Sequence, residues 1–481
     1  MLRHARNCFL GIGLLCLAVL GAASVLGAMR RRPEPHPLCI FATGALNGVL
    51  VPCGCAPDQL GGLARRASFL QRYEGCRERL IVDAGNLTAG FGPSEPFKVQ
   101  PIASALARMG YFAVNLGEQD FFLGLEPLKR LRAAAPQVHV LSANVSHESN
   151  EAFAEPLAVW QARGGSPRIA VVGLLSHVYS PQLTALKSGF SIQEPSAALR
   201  QAIDSLKQKP DIVVVIYRGP HPEARGILKD FPEVTIMVNA CDDRDAATER
   251  AGDSQVLLVT GQDGQHVAVA GVQANQDGDW TADSREVAPL SKAVGESPEI
   301  RTILQEYQNE LRERRVLDLV PRRPLPDGLR YVGSNTCRAC HSGEHALWSR
   351  LSHAHAYETL LENGHAYDPD CVSCHVTGFG FESGYTDAER TPNLVGVGCE
   401  SCHHPGSRHV DEQVAGLPLT EYGKTTPADC LACHTPARSP AFDYDTYLGK
   451  IDHWSDEAKA SLKAQPLNRA APLESGPASN R

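Results

Sequence analysis

Residues 337–341 read C-R-A-C-H, and the same Cys-x-x-Cys-His pentad occurs four times within one stretch of fewer than a hundred residues. The four pentads are Cys337–His341, Cys371–His375, Cys399–His403 and Cys430–His434. This pattern is the attachment signature of c-type haem, because two thiols add across the haem vinyl groups and the adjacent His binds the iron. Structural zinc is the alternative for paired cysteines, but zinc does not require a His directly after each pair. The stretch therefore predicts four covalently bound haems.

The surrounding region limits how these haems can be held. The predicted attachment cysteines are Cys337, Cys340, Cys371, Cys374, Cys399, Cys402, Cys430 and Cys433, and the predicted proximal iron ligands are His341, His375, His403 and His434. All four methionines lie in the first half of the chain. No thioether from the haem region can then bind iron, so the sixth ligands are histidines or some sites are open. Apolar runs are sparse beyond Tyr331, which predicts that the haems themselves form the core there.

The charge distribution points to a class of partner. The segment 330–452 contains eight Lys and Arg against sixteen Asp and Glu, a difference equal to the whole net charge of −8. The acidic balance and the pI near 6.1 argue against nucleic acid. A protein redox partner is expected to present a basic patch to this segment.

The N-terminal segment, residues 1–36, is a signal anchor or a signal peptide. A basic start precedes an apolar run from Cys8 to Met29, a length that suits either a membrane-spanning helix or a long signal sequence. Gly21-Ala22-Ala23 resembles a cleavage site, whereas Arg30-Arg31-Arg32 resembles a stop. Because haem is attached to such pentads outside the cytoplasm, the body is predicted to face the bacterial periplasm. The favoured arrangement is an inner-membrane anchor, with cleavage and release as the alternative.

Strand-like and helical patterns alternate over residues 37–290, which predicts an α/β domain with a largely buried sheet. The predicted strands begin at Leu38, Leu80, Ala113, Val138, Arg168, Ile212 and Val256, and the predicted helices include Gly62–Tyr73 and Pro101–Arg108. Residues 291–329 contain a charged helix, Pro298–Arg314 with Ser297 as its N-cap, and a Pro-rich linker. The haem region follows at 330–455, and the Pro- and Ser-rich tail 456–481 is predicted to be disordered.

The C-terminal region resembles a known family. Trp348–Ala356 reads W-S-R-L-S-H-A-H-A, and Val397–Val410 reads V-G-C-E-S-C-H-H-P-G-S-R-H-V. With the segments at Phe442 and Lys450–His453, these motifs resemble the tetrahaem cytochrome c family typified by the electron acceptor of hydroxylamine oxidation in nitrifying bacteria. The resemblance covers about 330–453 and implies a mainly helical, loop-rich domain organised around four closely packed haems. It favours as distal iron ligands His353, His355, His409 and His453.

Four proximal and four distal histidines would give every haem two His ligands, which implies low-potential one-electron transfer. One haem of this family can be five-coordinate, so an open site is compatible with the resemblance.

The N-terminal domain resembles a second family. The motifs occur in order at Phe41–Leu50, Gly61–Arg65, Asp83–Asn86, Asn115–Phe121, Leu141–Val145 and Gly261–Gly264. The series resembles the calcineurin-like metallophosphoesterase domain of periplasmic 5′-nucleotidases over about 38–275. It implies an α/β sandwich of metallophosphoesterase type.

The family's metal ligands are replaced in this sequence. A two-metal phosphoesterase needs carboxylate and imidazole ligands that hold two cations close together. The positions of those ligands carry Ala45, Asn47, Asn86, Glu118, Gln119, Arg218 and the tetrapeptide Ala240–Asp243. Every imidazole and the bridging carboxylate are gone, so we predict that the usual dinuclear site is lost and that the domain is degenerate.

Cys53 and Cys55 follow the first predicted strand and would lie above the former metal site. Three interpretations stay open. The pair can form a structural disulfide with Cys39 or Cys76, act as a thiol redox site, or bind a soft metal together with Cys241.

Three functions follow from these patterns. The favoured one is a periplasmic electron-transfer protein in which the N-terminal domain is a docking surface. The first alternative is an oxidoreductase whose Cys53 and Cys55 exchange electrons with the haems. The second is a metal-dependent nucleotide phosphohydrolase, against which the missing ligands weigh.

Overall fold

The computed structural model describes residues 36–52, 59–252, 254–275, 278–420, 422–436, 438–453 and 460. The predicted anchor or signal segment lies outside these residues, apart from residue 36 where the first strand begins, and so does the predicted tail apart from residue 460. Within the described residues, no helix combines the length and the apolar character needed to cross a membrane.

Two mixed sheets form the N-terminal part. Within the described residues, the first sheet contains β1 (His36–Thr43), β2 (Cys76–Asp83), β3 (Ala113–Asn115), β4 (His139–Leu141), β13 (His266–Ala274) and β14 (Trp280–Pro289). The second contains β6 (Leu157–Gln161), β7 (Arg168–Leu175), β9 (Ile212–Arg218), β10 (Val234–Ala240), β11 (Ala247–Ala251) and β12 (Gln255–Val259). A small separate sheet pairs β5 (Val145–His147) with β8 (Phe190–Ile192).

The order of strands is β14-β13-β1-β2-β3-β4 in the first sheet and β11-β12-β10-β9-β7-β6 in the second. The strands β1 to β4 run parallel to one another, as do β7, β9, β10 and β12, while β13 and β14 in the first sheet and β6 and β11 in the second pair antiparallel with their neighbours. Parallel strands need crossover connections, which the helices between them supply.

Alternation along β1 explains why both faces of the first sheet are buried. Leu38 and Ile40 pack against the second sheet, whereas Cys39 and Phe41 pack against helices on the outside. Successive side chains of a strand point to opposite faces, so an apolar run on a central strand fits a sheet that is covered on both sides. The two sheets thus pack face to face and share one apolar layer.

Helices cover both outer faces. The N-terminal helices are α1 (Leu63–Arg72), α2 (Glu95–Met109), α3 (Glu118–Phe122), α4 (Leu125–Ala134), α5 (Ser180–Ala185), α6 (Pro195–Asp204), α7 (His221–Asp230) and α8 (Pro298–Glu313). The first sheet is covered mainly by α1, α2, α4 and α8, and the second by α6 and α7. The α/β sandwich predicted from the sequence is confirmed, and so is the Ser297 N-cap, whose hydroxyl accepts the Ile300 amide at 3.5 Å.

The C-terminal part consists of short helices and long loops. Its helices are α9 (Ser334–Arg338), α10 (Ser342–Trp348), α11 (Ala356–Asn363), α12 (Pro369–Val372), α13 (Cys399–His403), α14 (Ser407–Ala415), α15 (Pro427–Leu431) and α16 (Tyr444–Ile451). A small apolar cluster around Tyr357, Val372 and Tyr385 is buried here. This confirms the helical, loop-rich class, while the number of haems and their part in the core stay predictions.

Candidate functional site

Each pentad begins in a short helix, which extends to the histidine in the third pentad and gives way to a turn in the other three. The amide of His341 donates to the carbonyl of Cys337 at 2.8 Å, and that of His434 to Cys430 at 2.9 Å. Residues three and four apart share one face of a helix, so each turn presents two thiols and one imidazole to the same side. The arrangement is the one that attachment of one haem by each pentad requires.

The structure brings pentad histidines together with distant histidines in three places. The ring centres are 6.3 Å apart for His341 and His409, 6.2 Å for His434 and His353, and 6.0 Å for His403 and His453. Metal–nitrogen bonds of about 2 Å on each side of an iron require imidazole centres roughly 6 Å apart. The three pairs therefore fit an iron held between two histidines.

The Nδ1 atoms of several histidines in the haem region lie within hydrogen-bond distance of backbone carbonyl oxygens. Nδ1 of His403 lies 2.7 Å from the carbonyl oxygen of Gly423, and Nδ1 of His375 lies 2.6 Å from that of Ala356. The Nδ1 atom of the distal His453 lies 2.9 Å from the Ile451 carbonyl oxygen. A carbonyl acceptor fixes the proton on Nδ1 and leaves Nε2 for a metal, as is usual for metal-binding histidines.

The second pentad differs from the other three. Three of the four predicted distal histidines, His353, His409 and His453, face other pentads, which leaves His355 for His375. Both ring nitrogens of His355 are engaged elsewhere: Nδ1 lies 3.0 Å from the Glu358 carboxylate and Nε2 lies 2.9 Å from the carbonyl oxygen of Ser349. Both ring nitrogens of His355 are thus engaged by the protein in this structure, and its role as a distal ligand stays a prediction.

Contacts between thiols group the pentads in twos. The Cys399 thiol lies close enough to raise the pKa of Cys337, and the Cys374 thiol lies close enough to raise the pKa of Cys433. The first site therefore adjoins the third, and the second adjoins the fourth. Such contacts agree with the close packing of haems that the resemblance implies.

The cleft of the N-terminal domain lies at the carboxyl ends of its parallel strands, where ligands of α/β sheets usually bind. Arg218 ends β9 and has a side chain that is 1% exposed. Its Nε and Nη2 donate to the two oxygens of Glu118 at 2.8 and 2.7 Å, and Nη1 and Nη2 donate to Asp242 at 3.0 and 2.7 Å. Burial alone would lower the pKa of Arg218, but its bonds to Glu118 and Asp242 raise it. A permanently charged guanidinium thus fills the space between the two carboxylates.

The amides that replace metal ligands complete the same network. Asn86 donates from Nδ2 to Glu118 at 2.9 Å and accepts the Gln119 amide at 3.2 Å. Asn47 donates to the side-chain oxygens of Gln262 and Asp263, both at 3.1 Å. Asn86, Glu118 and Gln119, which the resemblance places at metal-ligand positions, are thus joined by hydrogen bonds. The sequence indicated these positions as candidate sites but did not predict the hydrogen bonds that they make.

Of the described cysteines outside the pentads, two form a disulfide and one is a free thiol. Cys39 on β1 and Cys76 on β2 form a disulfide with a Cα–Cα distance of 5.7 Å. The interpretation that Cys53 or Cys55 pairs with Cys39 or Cys76 is therefore wrong, because those partners are bonded to each other. Cys53 and Cys55 themselves lie outside the described residues.

Cys241, the third member of the postulated metal site, is a buried free thiol. Burial and a hydrogen bond to Asp243 raise the pKa of Cys241 to about 12. The Cys241 thiol is therefore protonated at neutral pH.

Both parts of the chain are similar to known proteins. The family model for cytochrome c554 and c-prime matches residues 336–404. Cytochrome c-554 of Nitrosomonas europaea is 37% identical over 157 residues, covering 25% of this chain and 67% of the relative. The 5′-nucleotidase of Vibrio cholerae is 25% identical over 172 residues, covering 33% of this chain and 30% of that enzyme. The chain thus spans less than a third of the nucleotidase's length.

Among solved structures, a putative 5′-nucleotidase from Staphylococcus aureus superimposes with a TM-score of 0.49 at 17% identity, covering 75% of this chain and 70% of that one. A 5′-nucleotidase precursor from Thermus thermophilus gives a TM-score of 0.47 at 18% identity, covering 57% and 59%.

Proposed function

This chain belongs to the cytochrome c554 family through its C-terminal part, and from that premise we propose that it is a periplasmic tetrahaem electron-transfer protein of low potential. The observation that carries the proposal is the set of three histidine pairs with ring centres 6.0–6.3 Å apart. Two imidazole ligands favour low potentials, whereas a methionine ligand would raise them. The haem region, residues 330–453, contains no methionine.

The chain's own residues hold and orient the redox centres. A bound haem supplies a one-electron redox centre at each pentad. The two cysteines of each pentad would hold one edge of a haem, and the paired histidines at the first, third and fourth sites would bind its iron. The second site has His375 on one side and, in this proposal, an open position on the other.

The partner and the location belong to the same proposal. The acidic segment 330–452 favours a partner with a basic patch, whose docking would weaken as salt is added. Attachment to four pentads requires a compartment outside the cytoplasm. We propose that residues 1–36 direct the body to the periplasm, as an anchor in the inner membrane or as a cleaved signal.

Quantification of haem tests this function directly. We expect pyridine haemochrome spectra and protein mass together to give four haems per chain, one for each pentad. A value below three would overturn the proposal, because at least two pentads would then be empty. Apoprotein expressed without the haem-attachment machinery is the control, and its mass should be lower by four haem masses.

The N-terminal cleft supports a role without hydrolysis. The usual two-metal mechanism places cations between carboxylates and imidazoles, where they activate water. Here the Arg218 guanidinium stands between Glu118 and Asp242. We propose that this fixed cation replaces the metals, so that the phosphohydrolase alternative is the least favoured of the three.

One observation favours the oxidoreductase alternative as a second candidate. Gln59, the first described residue after the Cys53–Cys55 segment, donates from Nε2 to the carbonyl oxygen of Arg438 at 2.8 Å. Arg438 in turn donates from Nη1 to Sγ of Cys374 at 3.2 Å. Gln59 thus contacts the loop that adjoins the second pentad, and Cys55 precedes Gln59 by four positions in the sequence. Oxidation of two thiols to a disulfide releases two electrons and two protons, which low-potential carriers nearby could take up singly.

Replacing Cys53 and Cys55 with Ser tests this candidate. We expect the double variant to retain its four haems but to lose most of its rate of haem reduction by dithiols, measured by stopped-flow absorbance. Cys241→Ser is the matched control, because that thiol is buried and protonated, and its rate should equal the wild-type rate. Equal rates in all three proteins would reject the oxidoreductase and leave the electron carrier.

A further inference from the structure

The second pentad, defined as Cys371, Cys374 and His375, is attached to the N-terminal domain by polar contacts. Lys98 of α2 donates to the carboxylate of Asp370 at 2.6 Å, and the Ser94 hydroxyl lies 3.3 Å from both oxygens of the same carboxylate. Asp370 directly precedes Cys371 in the sequence. The N-terminal domain thus places a charged side chain next to this haem attachment point.

A second contact fixes the same segment. Gln308 of α8 donates from Nε2 to the Asp368 carboxylate at 3.1 Å, and the other oxygen of Asp368 accepts the Asp370 amide at 3.1 Å. His365, Asp368 and Cys371 lie with their polar atoms within 4.8 Å of one another. Because Cys371 is a haem attachment point, this group belongs to the second pentad site and is not a separate metal site.

Lys98 is buried and keeps its charge. Its side chain is 5% exposed, and its ammonium also lies 2.5 Å from the Glu95 carboxylate. Burial alone would lower the pKa of Lys98, but Asp370 and Glu95 raise it above its ordinary value. A positive charge out of water acts on its neighbours with little screening.

The field of this ammonium reaches the haem attachment sulfur. Burial and the carboxylates of Asp368 and Asp370 raise the pKa of the Cys371 thiol. Lys98 acts on the same thiol in the opposite direction. Charges that bear on this sulfur atom would bear equally on a redox centre bonded to it.

We propose that Lys98 and Asp370 set the reduction potential of the second haem site, so that the N-terminal domain tunes the one site whose iron has a single histidine. The proposal rests on the tetrahaem function proposed above. Lys98 raises the potential, because a nearby positive charge favours the reduced iron, and Asp370 lowers it. Both are positioning residues, since neither touches iron or substrate. The fused α/β domain would then be an electrostatic partner of the cytochrome in addition to any docking role.

Two variants that break the same ion pair distinguish electrostatics from structure. We expect Lys98→Met to lower the midpoint potential of one haem among four and Asp370→Asn to raise that of the same haem, in spectropotentiometric titrations at about pH 8. That pH ionises the neighbouring carboxyls, including Asp368, whose pKa burial raises to about 6. A purely structural role predicts shifts of the same sign, because both variants loosen the same contact.

Two further variants complete the test. Lys98→Arg keeps the charge and should keep the wild-type potential. Lys129→Met is the matched control, because Lys129 also binds two carboxylates, Glu126 and Glu151, but on the surface of the same domain. Its four potentials should be unchanged. Shifts of equal sign, shifts spread over all four haems, or no shift at all would overturn the inference. The haem content is measured in the same samples. A value below four would instead contradict the proposed tetrahaem function.

Discussion

Replacing Arg218 with Met is expected to lower the free energy of unfolding of the N-terminal domain by about 3–5 kcal/mol, because it leaves the Glu118 carboxylate buried without its counter-ion. The Glu118 side chain is 6% exposed and receives two of the four hydrogen bonds that the guanidinium makes to carboxylates. Asp242 is 61% exposed, so its loss of a partner adds little. Urea unfolding followed by far-ultraviolet circular dichroism measures the change.

A double variant separates the buried charge from the lost packing. Arg218→Met combined with Glu118→Gln should be more stable than Arg218→Met alone, because no unpaired carboxylate remains in the cleft. Arg225→Met is the control, since Arg225 is 53% exposed and binds only Glu249 at the surface. Its cost should stay below about 1 kcal/mol.

Two results would contradict this account of the cleft. If Arg218→Met were as stable as the wild type, the guanidinium would not be the internal cation of the site. Binding of two Mn²⁺ or Zn²⁺ ions by the wild-type protein in equilibrium dialysis would show that the residues around Asn86 still form a metal centre. It would also return the phosphohydrolase to consideration.

The local sequence patterns predicted seven strands, and all seven occur in the two large sheets. The strands that were missed include internal ones, β10 and β13, as well as strands at the edges. The strand β10 was not predicted, although Val234–Ala240 is apolar and buried in the second sheet. The helix predicted at Pro101–Arg108 begins six residues earlier, at Glu95. Pro101, the first residue of the predicted helix, lies inside α2, although proline favours the first turn of a helix.

The functional sites show a similar contrast between motifs that are contiguous in the sequence and residues that are far apart in it. The pentads are local and specify proximal ligands at once. Glu118, Arg218 and Asp242 are up to 124 positions apart and meet only because three strands end at one crevice. The signal for their pairing was present as charges within three motifs in which the resemblance places metal ligands. A single sequence does not show that those charges are neighbours.

Distal ligands were hardest to predict because candidates lie close together in sequence. His353 and His355 are two positions apart, in a non-helical turn before α11. The turn directs His353 towards His434, while His355 bonds to Glu358 one helical turn later. The sequence alone does not favour either histidine as a distal ligand. The backbone between Ser352 and Ala356 places His353 beside His434.

Replacing any one of His353, His409 and His453 with Ala is expected to convert one low-spin haem into a high-spin one. Each of these rings lies opposite a pentad histidine at the spacing of a shared iron, so its removal opens one coordination position. Low-spin haems should then fall from three to two per chain, measured by electron paramagnetic resonance of the oxidised protein. The wild type should already show one high-spin haem, from the site of His375.

His355→Ala is the matched control for these three variants, because His355 has the same chemistry and lies in the same segment as His353. Its two ring nitrogens are bound to Ser349 and Glu358, so its spectrum should equal that of the wild type. A wild-type protein with four low-spin haems, together with a new high-spin signal in His355→Ala, would show that His355 turns to bind the second iron. The open position proposed opposite His375 would then be wrong, and the site beside Lys98 would be closed to small ligands.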